Sequence, residues 1–110
     1  SGDKVVIVTP YDNEIPSWKY GFDRLQRENV IGKDVDLEVY RFSDATDAET
    51  IKGWLEDADY IIGTSEIINA NNLKKDHWIS RNVDVAINYA KENDIPNAVV
   101  WIQLNGELIL

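Results

Sequence analysis

The sequence predicts an α/β fold, a three-layer α/β/α sandwich with a mostly parallel sheet of four to five strands. Three observations predict it. Apolar runs typical of buried strands alternate with stretches whose apolar residues recur every three or four positions. The resulting order, β-α-β-α-β-α-β, favours a parallel sheet with right-handed crossovers. The 110 residues suit one domain, residues 1–110.

Four segments have the patterns of strands. Residues 4–10 (KVVIVTP) and 59–64 (DYIIGT) are short apolar runs, which indicates strands buried on both faces. Residues 35–42 (VDLEVYRF) alternate with one polar face, which is typical of a strand near a sheet edge. Residues 97–104 (NAVVWIQL) form the fourth strand, and the apolar ending that follows is compatible with a last short edge strand.

Three segments have the periodicity of amphipathic helices. Their apolar stripes lie at Ile15, Trp18, Phe22 and Leu25; at Ile51, Trp54, Leu55 and Ala58; and at Ile79, Val83, Ala86, Ile87 and Ala90. Thr46 and Glu49 have the spacing of a capping box at the start of the second helix. Pro96 ends the third helix. The polar residues 65–75 predict a loop.

The composition excludes several classes of protein. There are 20 acidic residues against 11 basic ones, a net charge of −9, which argues against binding to nucleic acid or to anionic lipid. No apolar run is long enough to cross a bilayer, so we expect no membrane insertion. With no cysteine and one histidine, we expect no metal site and no cofactor. Because the chain opens on Ser1-Gly2 without methionine, we expect a domain excised from a longer chain.

The carboxyl ends of the strands are where ligands bind in open α/β sheets. The candidate binding residues there are Tyr11, Asp12 and Asn13 after the first strand, and Ser65 and Glu66 after the third. A dinucleotide site is disfavoured, because the first strand is followed by no glycine before Gly21. The same region lacks a flavin phosphate loop, and the third strand does not end in a phosphoacceptor aspartate.

Two further sites have competing interpretations. Asp76 and His77 are weak candidates for a catalytic acid/base pair, because a carboxylate can orient an imidazole; alternatively both are solvated residues in the turn before the third helix. Asp12 and Glu14 could pair as carboxylates, or simply favour the positive end of the first helix. Trp78 is the only tryptophan expected to be an exposed platform, since the other three lie in helical stripes or a strand.

Two segments carry a family resemblance. The first segment is residues 58–65 (ADYIIGTS), followed by a polar loop and Asp76-His77-Trp78. The second segment is residues 87–102 (INYAKENDIPNAVVWI). Together they resemble the C-terminal α/β sandwich domain of glycoside hydrolase family 3, particularly the β-N-acetylglucosaminidase type. The chain departs from that family at residues 103–106 (QLNG), where an Arg-Asn-Pro-Tyr-Asp-like stretch is usual and only Asn105 matches.

The resemblance implies a non-catalytic accessory domain, because that family carries its nucleophile and, in this type, its acid/base on a separate barrel. The expected partner is the barrel of the same chain, the substrate an amino-sugar glycan, and the location extracellular or cell-wall associated. Ser65, Glu66 and Trp78 would border the carbohydrate. The alternative is a small-molecule-binding module, either a periplasmic-binding-protein lobe or a flavodoxin-like domain, that uses Tyr11, Asp12, Asn13 and Ser65. A third hypothesis is an enzyme that uses Asp76 and His77.

Overall fold

The computed structural model describes residues 3–67, 77–103 and 108–109. Helices and strands alternate along the chain as the sequence predicts, and a short fifth strand follows. The elements are β1 (Lys4–Thr9), α1 (Glu14–Arg27), β2 (Asp36–Arg41), α2 (Ala48–Trp54), β3 (Tyr60–Ile67), α3 (Trp78–Glu92), β4 (Asn97–Gln103) and β5 (Leu108–Ile109).

The strands form one sheet in the order β2-β1-β3-β4-β5. The first four are parallel, and β5 pairs with β4 in the antiparallel sense. With helices on both faces, this is the predicted three-layer α/β/α sandwich of flavodoxin-like type, so the prediction of fold class is confirmed. The order reverses between β1 and β3, because the chain passes from β1 outward to β2 and then crosses back over β1 to reach β3.

Strand register assigns the side chains to two faces, since paired residues of parallel strands point the same way. Val8 pairs with Tyr40 and with Gly63, and these residues face α2 and α3. We call this the α3-side face. The residues that alternate with these along each strand point to the other side of the sheet, which we call the α1-side face. It includes Ile7, Tyr60 and Ile62.

The main core lies between the α3-side face and helices α2 and α3. The whole predicted stripe of α3 is buried there, together with Val6 and Val8 of β1, Ile51 and Leu55 around α2, and Ile61 of β3. The helix approaches β3 closely at Gly63, where an added Cβ would lie 3.0 Å from Cγ1 of Val83. Glycine therefore sets how near α3 lies to the sheet.

The helix layer on the α1-side face buries fewer side chains than the layer of α2 and α3. α1 has the same kind of apolar stripe, and its orientation toward the sheet is held partly by Gln26, whose Nε2 donates to the carbonyl oxygen of Val35 at 2.9 Å. Yet none of its 14 residues is buried, and Leu25 is exposed. α1 packs over β2, and among the described elements no other helix lies on this side.

Two local predictions are wrong. The N-cap of α2 is Asp47, whose carboxylate accepts from the backbone N–H of Thr50 at 2.8 Å. Hydrogen bonds from the side chain and from the backbone of Thr50 lower the pKa of Asp47. Thr46 instead accepts from the backbone N–H of Ser43 at 2.8 Å. The predicted loop also begins too early, because Ser65 lies inside β3, which continues to Ile67 by pairing with β4. The rest of that loop, residues 68–76, lies outside the described residues.

The edge strand β2 has the predicted alternation, but its more polar side faces the core. Tyr40 stacks on Trp54 of α2 with ring centroids 4.9 Å apart, and its hydroxyl donates to Glu38. This hydrogen bond raises the pKa of Tyr40 and lowers the pKa of Glu38, which also pairs with Lys4 at 3.2 Å. The side chains of Glu38 and Tyr40 thus cover the edge of the core at β2.

Candidate functional site

Hydroxyl side chains meet where the strand order reverses. Thr9 ends β1, and Thr64 follows Gly63, the partner of Val8, so the two threonines lie next to each other on the α1-side face. Both are fully buried. Thr9 Oγ1 accepts a long hydrogen bond from the backbone N–H of Tyr11 at 3.5 Å. This position is where a sheet of this order places a ligand.

Two of the buried hydroxyls at this edge have no partner among the described contacts. They are Oγ1 of Thr64 and Oγ of Ser65. Since adjacent strand residues point to opposite faces, the two hydroxyls lie on opposite sides of the sheet. A buried hydroxyl without a hydrogen bond is unusual, because leaving it unpaired costs about 1–3 kcal/mol. The carboxyl edge therefore holds unused hydrogen-bonding capacity on both faces.

The three candidates after β1 are spread apart by the turn into α1. Tyr11 is half-buried and packs against the core. Asp12 and Asn13 are exposed, and Asp12 pairs with Arg41 of β2 at 3.6 Å. Asn13 occupies the N-cap position of α1 without making a side-chain capping bond. Arg41 shares the face of Thr9, with which it pairs, so one cation reaches this edge.

The candidates associated with β3 and α3 are also separated. Ser65 is buried under the α3-side face. Glu66 is in register with Ile102, one pair before the carboxyl end of the β3–β4 ladder. Trp78 begins α3, is half-buried, and meets the ring of Phe42 edge-on at 6.0 Å. The sequence predicts an exposed platform at Trp78, whereas the structure packs the indole against the core.

His77 caps α3. Its Nδ1 accepts from the backbone N–H of Ile79 at 3.3 Å, and its ring lies 6.0 Å from that of Trp78. Capping by a side-chain acceptor satisfies a backbone donor that the first helical turn leaves free. Asp76, the other member of the predicted acid/base pair, lies outside the described residues. The capping contact gives His77 a structural role at the start of α3.

We expect a substitution at His77 to lower the free energy of unfolding when the new side chain cannot cap α3. His77→Ala removes the acceptor and should cost about 0.5–2 kcal/mol of unfolding free energy, as loss of an N-cap does. His77→Asn supplies a side-chain oxygen that can cap and should recover most of that loss. Urea unfolding of the two variants and the unsubstituted chain tests this. Equal losses for alanine and asparagine would contradict the capping role.

A buried amide links the loop after β2 to α3. Asn82 Nδ2 donates to the carbonyl oxygen of Ser43 at 3.0 Å, and Ser43 and Thr46 are hydrogen-bonded to each other within the loop.

Among the described residues no cluster of three or more His, Asp or Glu side chains could hold a metal ion. In the same part of the chain, no helix combines the length and apolar character needed to cross a membrane.

Comparison with known proteins adds no family. No protein-family model matches the sequence, and no curated protein matches it.

Four residues near the site could not be chosen from the sequence: Thr9, Thr64, Arg41 and Asn82. Alternation along each strand could have placed Thr9 and Thr64 on one face, but only the register between strands makes them neighbours.

Proposed function

We propose that this chain is the C-terminal α/β accessory domain of a glycoside hydrolase of family 3, of the β-N-acetylglucosaminidase type. In this proposal the domain has no catalytic residue of its own, packs against the catalytic barrel, and borders an amino-sugar glycan. The parent enzyme would act outside the cytoplasm or at the cell wall. The two resembling segments support it, since they supply β3, the end of α3 and β4, which are contiguous in the fold.

The observation that carries the accessory role is that α1 leaves its apolar stripe only partly buried. An amphipathic helix normally buries its apolar stripe, and all five residues of the α3 stripe are buried. α1 has a comparable stripe, at Ile15, Trp18, Phe22 and Leu25, with no buried residue. A domain that leaves one helix half-covered gains stability when another body packs on it, which is the position of an accessory domain beside a catalytic one.

Enzyme assays test this proposal directly. We expect no hydrolysis of a chromogenic N-acetylglucosaminide by the chain alone. We expect the chain to raise the activity of a family 3 barrel from which its own α/β domain has been removed. Turnover by the chain alone that disappears in His77→Ala would replace the proposal with a catalytic role for His77. A control variant at an exposed residue of α3, Asp84→Asn, should leave both results unchanged.

A second function, the binding of a small molecule at the strand ends, is favoured by the unpartnered hydroxyls of Thr64 and Ser65. A ligand that hydrogen-bonds one of them would recover the free energy lost by its burial. Thermal-shift screening against sugars and nucleotides tests this. A ligand that raises the Tm of the chain but not of Thr64→Val, which keeps the shape and removes the hydroxyl, would favour the binding module. If no compound raises the Tm, the accessory role is favoured.

A further inference from the structure

The start of α3 depends on a side chain that changes its charge with pH. His77 is the one histidine of the sequence, and imidazole is the side chain that ordinarily titrates between pH 5 and 8. Its Nδ1 accepts from the backbone N–H of Ile79 at 3.3 Å, and its backbone is extended, as is typical of an N-cap. The corresponding position of α2 is held by a carboxylate, that of Asp47.

The capping contact requires the neutral imidazole. A ring nitrogen accepts a hydrogen bond only when it carries no hydrogen, and in the protonated ring both nitrogens carry one. Protonated His77 therefore cannot accept from Ile79. Its charge would also lie at the amino end of α3, where the partial positive charge of the helix disfavours a cation. The loss of the acceptor and the repulsion both act against the first turn of the helix.

Trp78 is the residue most exposed to the loss of this cap. It is the first residue of α3 and is half-buried, with its ring edge-on to that of Phe42 at 6.0 Å. The next residue, Ile79, is buried in the core, as is Asn82 one turn further on. Opening of the first turn would thus free the backbone at Trp78, while the rest of the helix stays anchored to the sheet.

The charged groups around His77 leave the cap as its one described polar contact. Arg81 lies one turn along α3, and Asp44 and Asp47 lie in the loop that Asn82 joins to this helix. Among the described residues, none forms an ion pair with His77. The charged residues immediately before it in the chain, which lie outside the described residues, are Lys74, Lys75 and Asp76.

We propose that His77 is an acid-sensitive cap, which when neutral holds Trp78 against Phe42 and when protonated opens the first turn of α3 and exposes the indole. The folded state favours the neutral ring, so the contribution of the cap is complete at pH 8 and is lost as the imidazole takes up its proton at lower pH. This inference goes beyond the proposed function and does not depend on it. It assigns a pH response to the carboxyl edge of the sheet, beside which α3 begins.

Urea unfolding at pH 8 and pH 5 tests the cap, with His77→Asn as a cap that does not titrate. Relative to His77→Asn, the ratio of folded to unfolded unsubstituted chain should fall about 2- to 30-fold between the two pH values, the range that loss of an N-cap covers. His77→Ala, which has no acceptor at either pH, should keep a constant ratio to His77→Asn. Carboxylates titrate in all three proteins and cancel. No relative change, or a gain on acidification, would overturn the proposal.

Two NMR measurements on the unsubstituted chain remain decisive if a variant does not fold. The ring nitrogens of His77 should show Nδ1 without a hydrogen at pH 8, and a hydrogen on Nδ1 at that pH would overturn the proposal. In a chain labelled with 5-fluorotryptophan, the line absent from Trp78→Phe belongs to Trp78. Its solvent isotope shift should grow between pH 8 and pH 5, while the lines of the other three tryptophans stay unchanged. An unchanged Trp78 line would overturn the proposed release.

Asp76→Asn separates the cap from a carboxylate–imidazole pair. If the pH response comes from capping, this variant should keep the fall in relative stability on acidification and the movement of the Trp78 line. If the response disappears with the carboxylate, a pair between Asp76 and His77 is its source and the proposal is overturned. The enzyme assays judge the accessory role separately, so neither result decides the other.

Discussion

Replacing Ile79 by alanine is expected to lower the free energy of unfolding by about 2–5 kcal/mol, because its side chain is buried between α3 and the sheet. The matched change on the other layer, Ile15→Ala, should cost less than about 1 kcal/mol, since Ile15 remains half-exposed. Both isoleucines lie in the first turn of an amphipathic helix, so helix propensity changes equally. Urea unfolding followed by circular dichroism measures the difference.

The comparison has a clear opposing outcome. Equal losses at the two positions would mean that α1 is as well covered in solution as α3, for example by self-association.

Replacing Phe42 by alanine is the second change with a large expected effect. Phe42 is fully buried at the carboxyl end of β2 and supports the ring of Trp78. Loss of its side chain should cost about 3–5 kcal/mol, a large part of the roughly 5–15 kcal/mol that stabilises a typical domain. Tyr20→Ala, an aromatic truncation at a side chain that is 65% exposed, should change stability by no more than about 0.5 kcal/mol.

A double-mutant cycle then asks what Trp78 does. If the edge-to-face contact holds the indole in the core, Phe42→Leu and Trp78→Leu should be coupled by about 0.5–1.5 kcal/mol. Additive losses would free Trp78 from this role and return it to the set of ligand-contacting candidates. Leucine is used in the cycle because it leaves a smaller cavity and keeps the variants folded.

The fold could be predicted from the sequence to the level of its layers. α2 is shorter than its predicted stripe, because it ends at Trp54, and Leu55 and Ala58 lie beyond it. Otherwise each apolar run lies in a strand and each periodic stripe in a helix, because these patterns indicate which side of an element is apolar. They do not record what covers that side. The stripes of α1 and α3 look alike in the sequence, and only the assembled sheet distinguishes the buried one from the half-exposed one.

Local details failed where tertiary contacts outweighed composition. Ser65 and Glu66 are polar and read as a loop, but pairing with β4 keeps them in the sheet. Thr46 matches a capping box, but the loop turns so that Asp47 caps α2. At the strand ends, the sequence identified the correct edge but not that Thr9 and Thr64 are neighbours, which depends on the register between two strands far apart in the chain.

The layer built by α1 also sets how the molecule opens. Regions with few buried contacts unfold locally at a free energy far below that of the whole domain, whereas regions tied into the core exchange their amide hydrogens only on global unfolding. α1, with no buried residue, belongs to the first kind, and α3 to the second. We therefore expect slow amide exchange around β3 and α3 and readily opened structure at α1, and a body bound beside α1 would join the two regions into one cooperative unit.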